Sequence, residues 1–244
     1  MKSVNTDVAY DYIRKRVLNG HFPPGSALRT GHLAEEIKVS RTPIRDALRK
    51  LEADGLVEIK PHLGATVKSI DIKEFREMCD LRLALESHAA GLAARNRTDL
   101  DLREIRSALE TMGDLVERIR MAEQERPLLN ELAREDARFH LAIMEAAKSH
   151  LMKKEIVRLH LLERVLAGAD FGDKPVFNKT VNDARRKMVQ AKHADIYHAI
   201  AASDSFGAKR AMEYHLHELI EHDLGSRGKS QNNADKMLAE PIIL

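Results

Sequence analysis

Between residues 72 and 222 apolar side chains recur at helical spacing almost without interruption, in six alanine-rich stretches at 72–95, 99–123, 128–147, 151–167, 181–203 and 205–222. Each stretch must bury one face, and the partners nearest in sequence are the other stretches. Breaks fall at Arg97-Thr98, Pro127, Ser149, the loop 168–180 and Ser203-Asp204-Ser205, so the chain is expected to double back repeatedly on itself. This pattern predicts an all-α antiparallel helical bundle. Aromatic residues make up only 4% of 244 positions and Trp is absent, which fits a helix-rich chain better than a β-sandwich. No apolar run approaches the ~18 residues of a membrane span, and residues 1–20 lack the apolar segment of a secretory signal. The single cysteine, Cys79, excludes an internal disulfide framework, so a reducing cytoplasm is the expected compartment.

The first third differs. Residues 1–70 carry 12 Lys+Arg against 8 Asp+Glu, whereas the remainder carries 28 against 30, a mild sign of an anionic partner for the N-terminal part. Helical spacing predicts helices over 5–18 and 31–37, with Phe22-Pro23-Pro24-Gly25 enforcing a turn between them. A third helix follows Ser40, a plausible N-cap, with Pro43 in its first turn and Ile44, Ala47, Leu48 and Leu51 as its buried stripe. Two short β-rich runs, 56–59 and 65–67, flank Pro61-His62-Leu63-Gly64. Three helices and a hairpin in 70 residues outline a winged helix-turn-helix. With the stripe turned inward, Arg41, Thr42, Arg45 and Arg49 point outward, and arginine can grip guanine or phosphate. A basic exposed face is also what any solvated helix shows, so charge alone does not decide.

The run Leu33-Ala34-Glu35-Glu36-Ile37-Lys38-Val39-Ser40-Arg41-Thr42-Pro43-Ile44-Arg45-Asp46-Ala47-Leu48, then Leu51-Glu52-Ala53-Asp54-Gly55-Leu56-Val57 and Gly64-Ala65-Thr66-Val67, closely resembles the DNA-binding domain of GntR-type transcription regulators. The resemblance implies double-stranded operator DNA as partner, with Arg41, Thr42 and Arg45 at bases or backbone, Ser40 and Arg49 at phosphates, and the wing around His62 and Gly64 in the minor groove. One position departs from the pattern: Gly31 stands where relatives often carry arginine.

Twelve histidines are present, and periodicity separates a few of them. The inward stripe Leu129, Leu132, Asp136, Phe139, His140, Ile143, Ala147 sets a carboxylate and an imidazole one turn apart. His193 lies on the stripe Val189, His193, Ile196, Ile200, and His215 on Ala208, Ala211, Met212, His215, Leu216, Leu219, whereas His198 and His217 lie off them. A lone core histidine usually just satisfies a hydrogen bond. One Asp and three neutral His converging from three stripes instead form an N/O donor set suited to a divalent ion, Zn²⁺ or Ni²⁺.

The spacing Asp136-x-x-x-His140, His193, His215, with Arg82-Leu83-Ala84-Leu85-Glu86, resembles the metal-binding FCD effector domain of the FadR subfamily of GntR regulators. It implies a small carboxylate effector, an organic or sugar acid, held by the metal and by Arg82. Relatives often have Gly-Asn at Ser149-His150. The expected organisation is thus a mostly α chain with a winged helix-turn-helix at 1–70, an effector-binding and dimerisation bundle at 71–224 and a flexible tail at 225–244. Its expected function is that of an effector-responsive regulator, a repressor and homodimer, that is not an enzyme. Two alternatives stay open: a metal-independent acyl-CoA-type sensor, and a metal-dependent hydrolase fused to a DNA-binding domain. The second lacks a His-Glu-x-x-His order or any Ser/His/Asp order.

Overall fold

The computed structural model describes residues 2–60, 64–169 and 179–239. Two units result: residues 1–70 joined by the second half of one later helix from Val157, and Asp71–Ile156 with the described residues from Lys179 on.

The first unit contains α1 (Lys2–Leu18), β1 (Ala27–Leu28), α2 (Thr30–Ile37), α3 (Arg41–Ala53), β2 (Val57–Lys60) and β3 (Gly64–Val67). Ile44, Ala47, Leu48 and Leu51 are all buried, as their spacing requires, and pack with Ile13, Val17, Leu33, Leu56 and Val67 into one core. Ser40 occupies the N-cap position of α3 in an extended conformation, but its side chain makes no capping bond, so the expected cap contributes only its backbone geometry. The hairpin forms in the antiparallel register Val57↔Val67 to Lys60↔Gly64. A strand not foreseen, β1, adds to β3 through Ala27↔Thr66 and Leu28↔Ala65, giving the order β1-β3-β2. Two residues carry too little period to be legible alone. Gly64 enters β3 at φ +89°, where a side chain would be strained.

The second unit is built from α4 (Ile72–Asn96), α5 (Asp99–Met121), α6 (Arg126–Ala146), the first turns of α7 (His150–Ala169), α8 (Lys179–Ala201) and α9 (Ser205–Ala239). Asp71 and Thr98 open α4 and α5 with reciprocal capping boxes to Glu74 and Asp101. Pro127 lies in the first turn of α6 rather than at a break, because the first turn needs no amide hydrogen there. Apolar period ends the last helix at 222 and predicts a flexible tail from 225, whereas α9 continues through Ala239. Gly225 and Gly228 each weaken a helix by only about 1 kcal/mol and no proline intervenes before Pro241. Residues 240–244 lie outside the described residues. Helical period assigns residues 151–167 to the bundle, whereas the second half of α7 groups with the first unit, where Leu161 packs on its core and Arg158 lies against Gly55.

The end of α4 fixes three other helices. Asn96 Nδ2 donates to Ala147 O just past the end of α6 at 3.0 Å, and Arg97 donates to Ile200 O at 3.1 Å and Ala201 O at 2.7 Å at the end of α8. Ser205 Oγ donates to Gly91 O at 2.7 Å, an approach so close that a Cβ on Gly91 would stand 3.0 Å from Ser205 O. The bonds from Asn96 and Arg97 go to carbonyls at the ends of α6 and α8, where the helix itself leaves acceptors without their usual partners. Arg97→Ala is therefore expected to cost about 1–3 kcal/mol, read as a fall of several degrees in Tm by circular dichroism. Arg97→Lys should not restore it, since an ammonium lacks the guanidinium fork.

Candidate metal centre

Asp136 and His140 stand one turn apart on α6, His193 projects from α8 and His215 from α9. All three imidazoles are buried, none more than 1% exposed. One ring nitrogen from each lies within 4.8 Å of the others. His140 Nε2 and His215 Nε2 are 3.3 Å apart, and the His193 and His215 ring centroids 4.3 Å. Phe139, fully buried, meets His140 edge-on at 5.8 Å and His193 at 4.8 Å and so wedges the two rings in place. Nδ1 of His193 and Nδ1 of His215 are buried without a hydrogen-bond partner among the described residues. Such groups are costly unless something pairs with them. Three imidazole donors and a carboxylate also suit a first-row divalent ion, so the residues present fit the expected metal.

Asp136 departs from expectation in burial. Its side chain is 38% exposed, because the turns of α6 before it, at Leu129 and Leu132, are only partly covered. Its Oδ1 still sits 3.1 Å from His193 Nε2, joining the cluster at its wet edge. The crowding around the carboxyl opposes its ionisation, yet the hydrogen bond and charge of His193, helped by His140 and His215, hold it well below the usual carboxylate range. Burial, and then the neighbouring His193 and His140, push His215 down to about 2, leaving it a neutral lone-pair donor. For His140 burial acts downward too, but the charge and hydrogen bond of Glu86 outweigh it and raise the ring.

Arg82 and Glu86 complete the surroundings. The apolar residues Phe75, Met78, Cys79, Leu85, Ala89 and Leu92 recur at helical spacing along α4, and that spacing alone sets Arg82 at the margin of their stripe. In the structure the buried line instead runs Phe75, Met78, Cys79, Arg82, Glu86, Ala89, Ala90, Ala93. Arg82 is 6% exposed, and its Nε donates to Glu86 Oε1 at 2.8 Å. Glu86, wholly buried, places Oε2 2.7 Å from His140 Nδ1. Sequence period gives Glu86 no role beyond closing the Arg82-Leu83-Ala84-Leu85-Glu86 motif. The signal was available in its i,i+4 spacing from Arg82 along that line, but a charged pair argues against burial on any residue-by-residue ranking.

On the first unit, Ser40, Arg41, Thr42, Arg45 and Arg49 are all exposed along α3, opposite its buried stripe. Arg49 pairs loosely with Asp46 at 3.4 Å. The Arg41 guanidinium lies over Gly31, 3.7 Å from where a Cβ there would be. Gly64 sits at the start of β3, and His62 lies outside the described residues. No described helix is long and apolar enough to cross a membrane.

The sequence models of two families match. Residues 5–67 fit bacterial regulatory proteins of the gntR family, and residues 77–218 fit the FCD domain. The HTH-type transcriptional regulator LutR of Bacillus subtilis (strain 168) is 32% identical over 218 residues, which span 82% of this chain and 92% of that protein. The HTH-type transcriptional repressor RspR of Escherichia coli (strain K12) is 26% identical over 226 residues, 93% of this chain and 90% of that one. The fold is shared with the solved structure of E. coli McbR/YncC at a TM-score of 0.68 and 23% identity, covering 91% of this chain and 98% of that one. With its winged helix-turn-helix and its helical bundle each matched, the chain belongs to the GntR family of bacterial transcription regulators, among those that carry an FCD domain.

Proposed function

We propose that this regulator is a homodimeric repressor that senses a small carboxylate through a divalent metal ion, Zn²⁺ or Ni²⁺, held by Asp136, His140, His193 and His215. The convergence of three buried imidazoles within 4.8 Å carries this reading. Charge supports the acid as effector. Arg82 and Glu86 cancel, and since each histidine must give up its proton to ligate an ion, Asp136 leaves the ligating state formally negative before the ion is counted. A divalent cation reverses that sign and makes an organic or sugar acid welcome in a poorly solvated interior. Arg82 adds a guanidinium buried near the same cluster, suited to a carboxylate with two oxygens to offer. That a relative such as RspR is named a repressor supports the direction of control.

On the DNA side Arg45 reads a base and Arg49 a phosphate, with Ser40, Arg41 and Thr42 beside them and the wing at His62 and Gly64 in the minor groove. Arg45→Ala is expected to weaken operator binding by about 1–3 kcal/mol, whereas Arg49→Ala lowers chiefly the salt dependence. Fluorescence anisotropy across a salt series separates the two, and an Arg45→Ala protein with parental affinity and slope removes that residue from the interface.

The sensing claim is tested by thermal shift. Metal-stripped and zinc-loaded protein are each screened against organic and sugar acids. Zinc should raise Tm, and an effective acid at a hundredfold its Kd should add about 2.7 kcal/mol in the loaded protein only. Equal stabilisation of both forms by an acid would detach the metal from sensing, and no zinc effect would remove the metal.

A further inference from the structure

Glu86 is a wholly buried carboxylate of the bundle that the proposed metal set does not use and that stability does not explain. A carboxylate at 0% exposure costs several kcal/mol to desolvate, and a buried ion pair is typically no better than apolar residues of the same volume. Arg82, by donating from Nε to Oε1, already supplies a compensating charge. The second carboxylate oxygen nonetheless turns across to α6 and stops 2.7 Å from His140 Nδ1. The opposite nitrogen of the same ring, Nε2, faces the cluster, 3.3 Å from His215 Nε2.

We propose that Glu86, braced by Arg82, is a positioning residue that keeps the hydrogen of His140 on Nδ1 and its Nε2 lone pair aimed at the ion. This rests on the metal reading above, and it gives Arg82 a role through Glu86 whether or not an effector also reaches it. The order Arg82, Glu86, His140 runs from α4 to α6, so the donor direction of one ligand is set by a helix that contributes no ligand. A carboxylate fixed by a guanidinium is a strong acceptor at a constant place, and a histidine that donates to it can neither flip nor exchange tautomers without breaking a buried bond.

Zinc affinity is measured by competition with a chromophoric chelator for the parental protein, Glu86→Leu and Glu86→Gln, with circular dichroism as the check on folding. Loss of the acceptor in Glu86→Leu should weaken zinc 10- to 100-fold, a range typical of outer-shell partners. Glu86→Gln, whose amide oxygen still accepts from Nδ1, should lie between the two. Long-range ¹H–¹⁵N spectra of the parental protein, assigned against His140→Gln, supply a readout that needs no Glu86 variant to fold. They should show His140 protonated at Nδ1 and, after zinc loading, coordinated through Nε2. Parental affinity in a folded Glu86→Leu protein, or coordination through Nδ1, overturns the proposal while leaving the metal centre standing. If the parental protein binds no zinc, the metal reading itself fails.

Discussion

His215→Ala is expected to weaken zinc binding by roughly 10²–10³-fold, while His217→Ala, two residues along the same helix, leaves it at the parental value. Structural zinc sites with four ligands gain about 10–16 kcal/mol, so one ligand represents some 3–4 kcal/mol, and each 1.4 kcal/mol is a factor of ten. His215 is 1% exposed with Nε2 toward His140, whereas His217 is exposed on the other side of α9. The pair therefore separates a ligand from a histidine of the same helix with no access to the cluster. Competition with a chelator reads both, and equal zinc affinities in the two variants would show that the buried stripe is not what holds the ion.

Phe139→Ala is expected to be the most damaging single truncation near the site. The ring is fully buried and belongs to the main core of the bundle with Ile143, Met112 and Ile196. Removing it should cost about 3–5 kcal/mol, a Tm lower by about 10 °C or more. Part of the loss is specific to the centre, because the ring edges against both His140 and His193, and aromatic pairs contribute beyond their area. A Leu in its place restores most of the volume but not that edge contact. Phe139→Leu should therefore recover stability more fully than zinc affinity; recovery of both to the same degree would show that the ring only fills space.

Much of this architecture was written in side-chain period. The stripe of α3 and the histidines of α6, α8 and α9 needed only a 3.6-residue repeat, because apolar neighbours mark which way each polar residue faces. His198 and His217, off their stripes, are exposed, whereas His193 and His215, on them, are buried. Period alone failed where a charged pair lay on the buried line: Arg82 and Glu86 neutralise each other one turn apart, and pairing across helices is invisible until the helices are packed. It also overstated the burial of Asp136, since a stripe gives direction but not depth, and the early turns of α6 lie at the rim of the bundle. The strand β1 was missed because it exists only by adding to β3. The length of α9 was missed because polar residues without a stripe can still be helical.

The most direct test is the position of the ion itself. Crystals of the zinc-loaded protein, measured on both sides of the zinc absorption edge, are expected to show one strong anomalous peak per chain, about 2.0–2.1 Å from a nitrogen of each of His140, His193 and His215. A zinc-loaded crystal in which that interior point is blank, or in which the peak lies on surface residues away from these three rings, would contradict the metal centre.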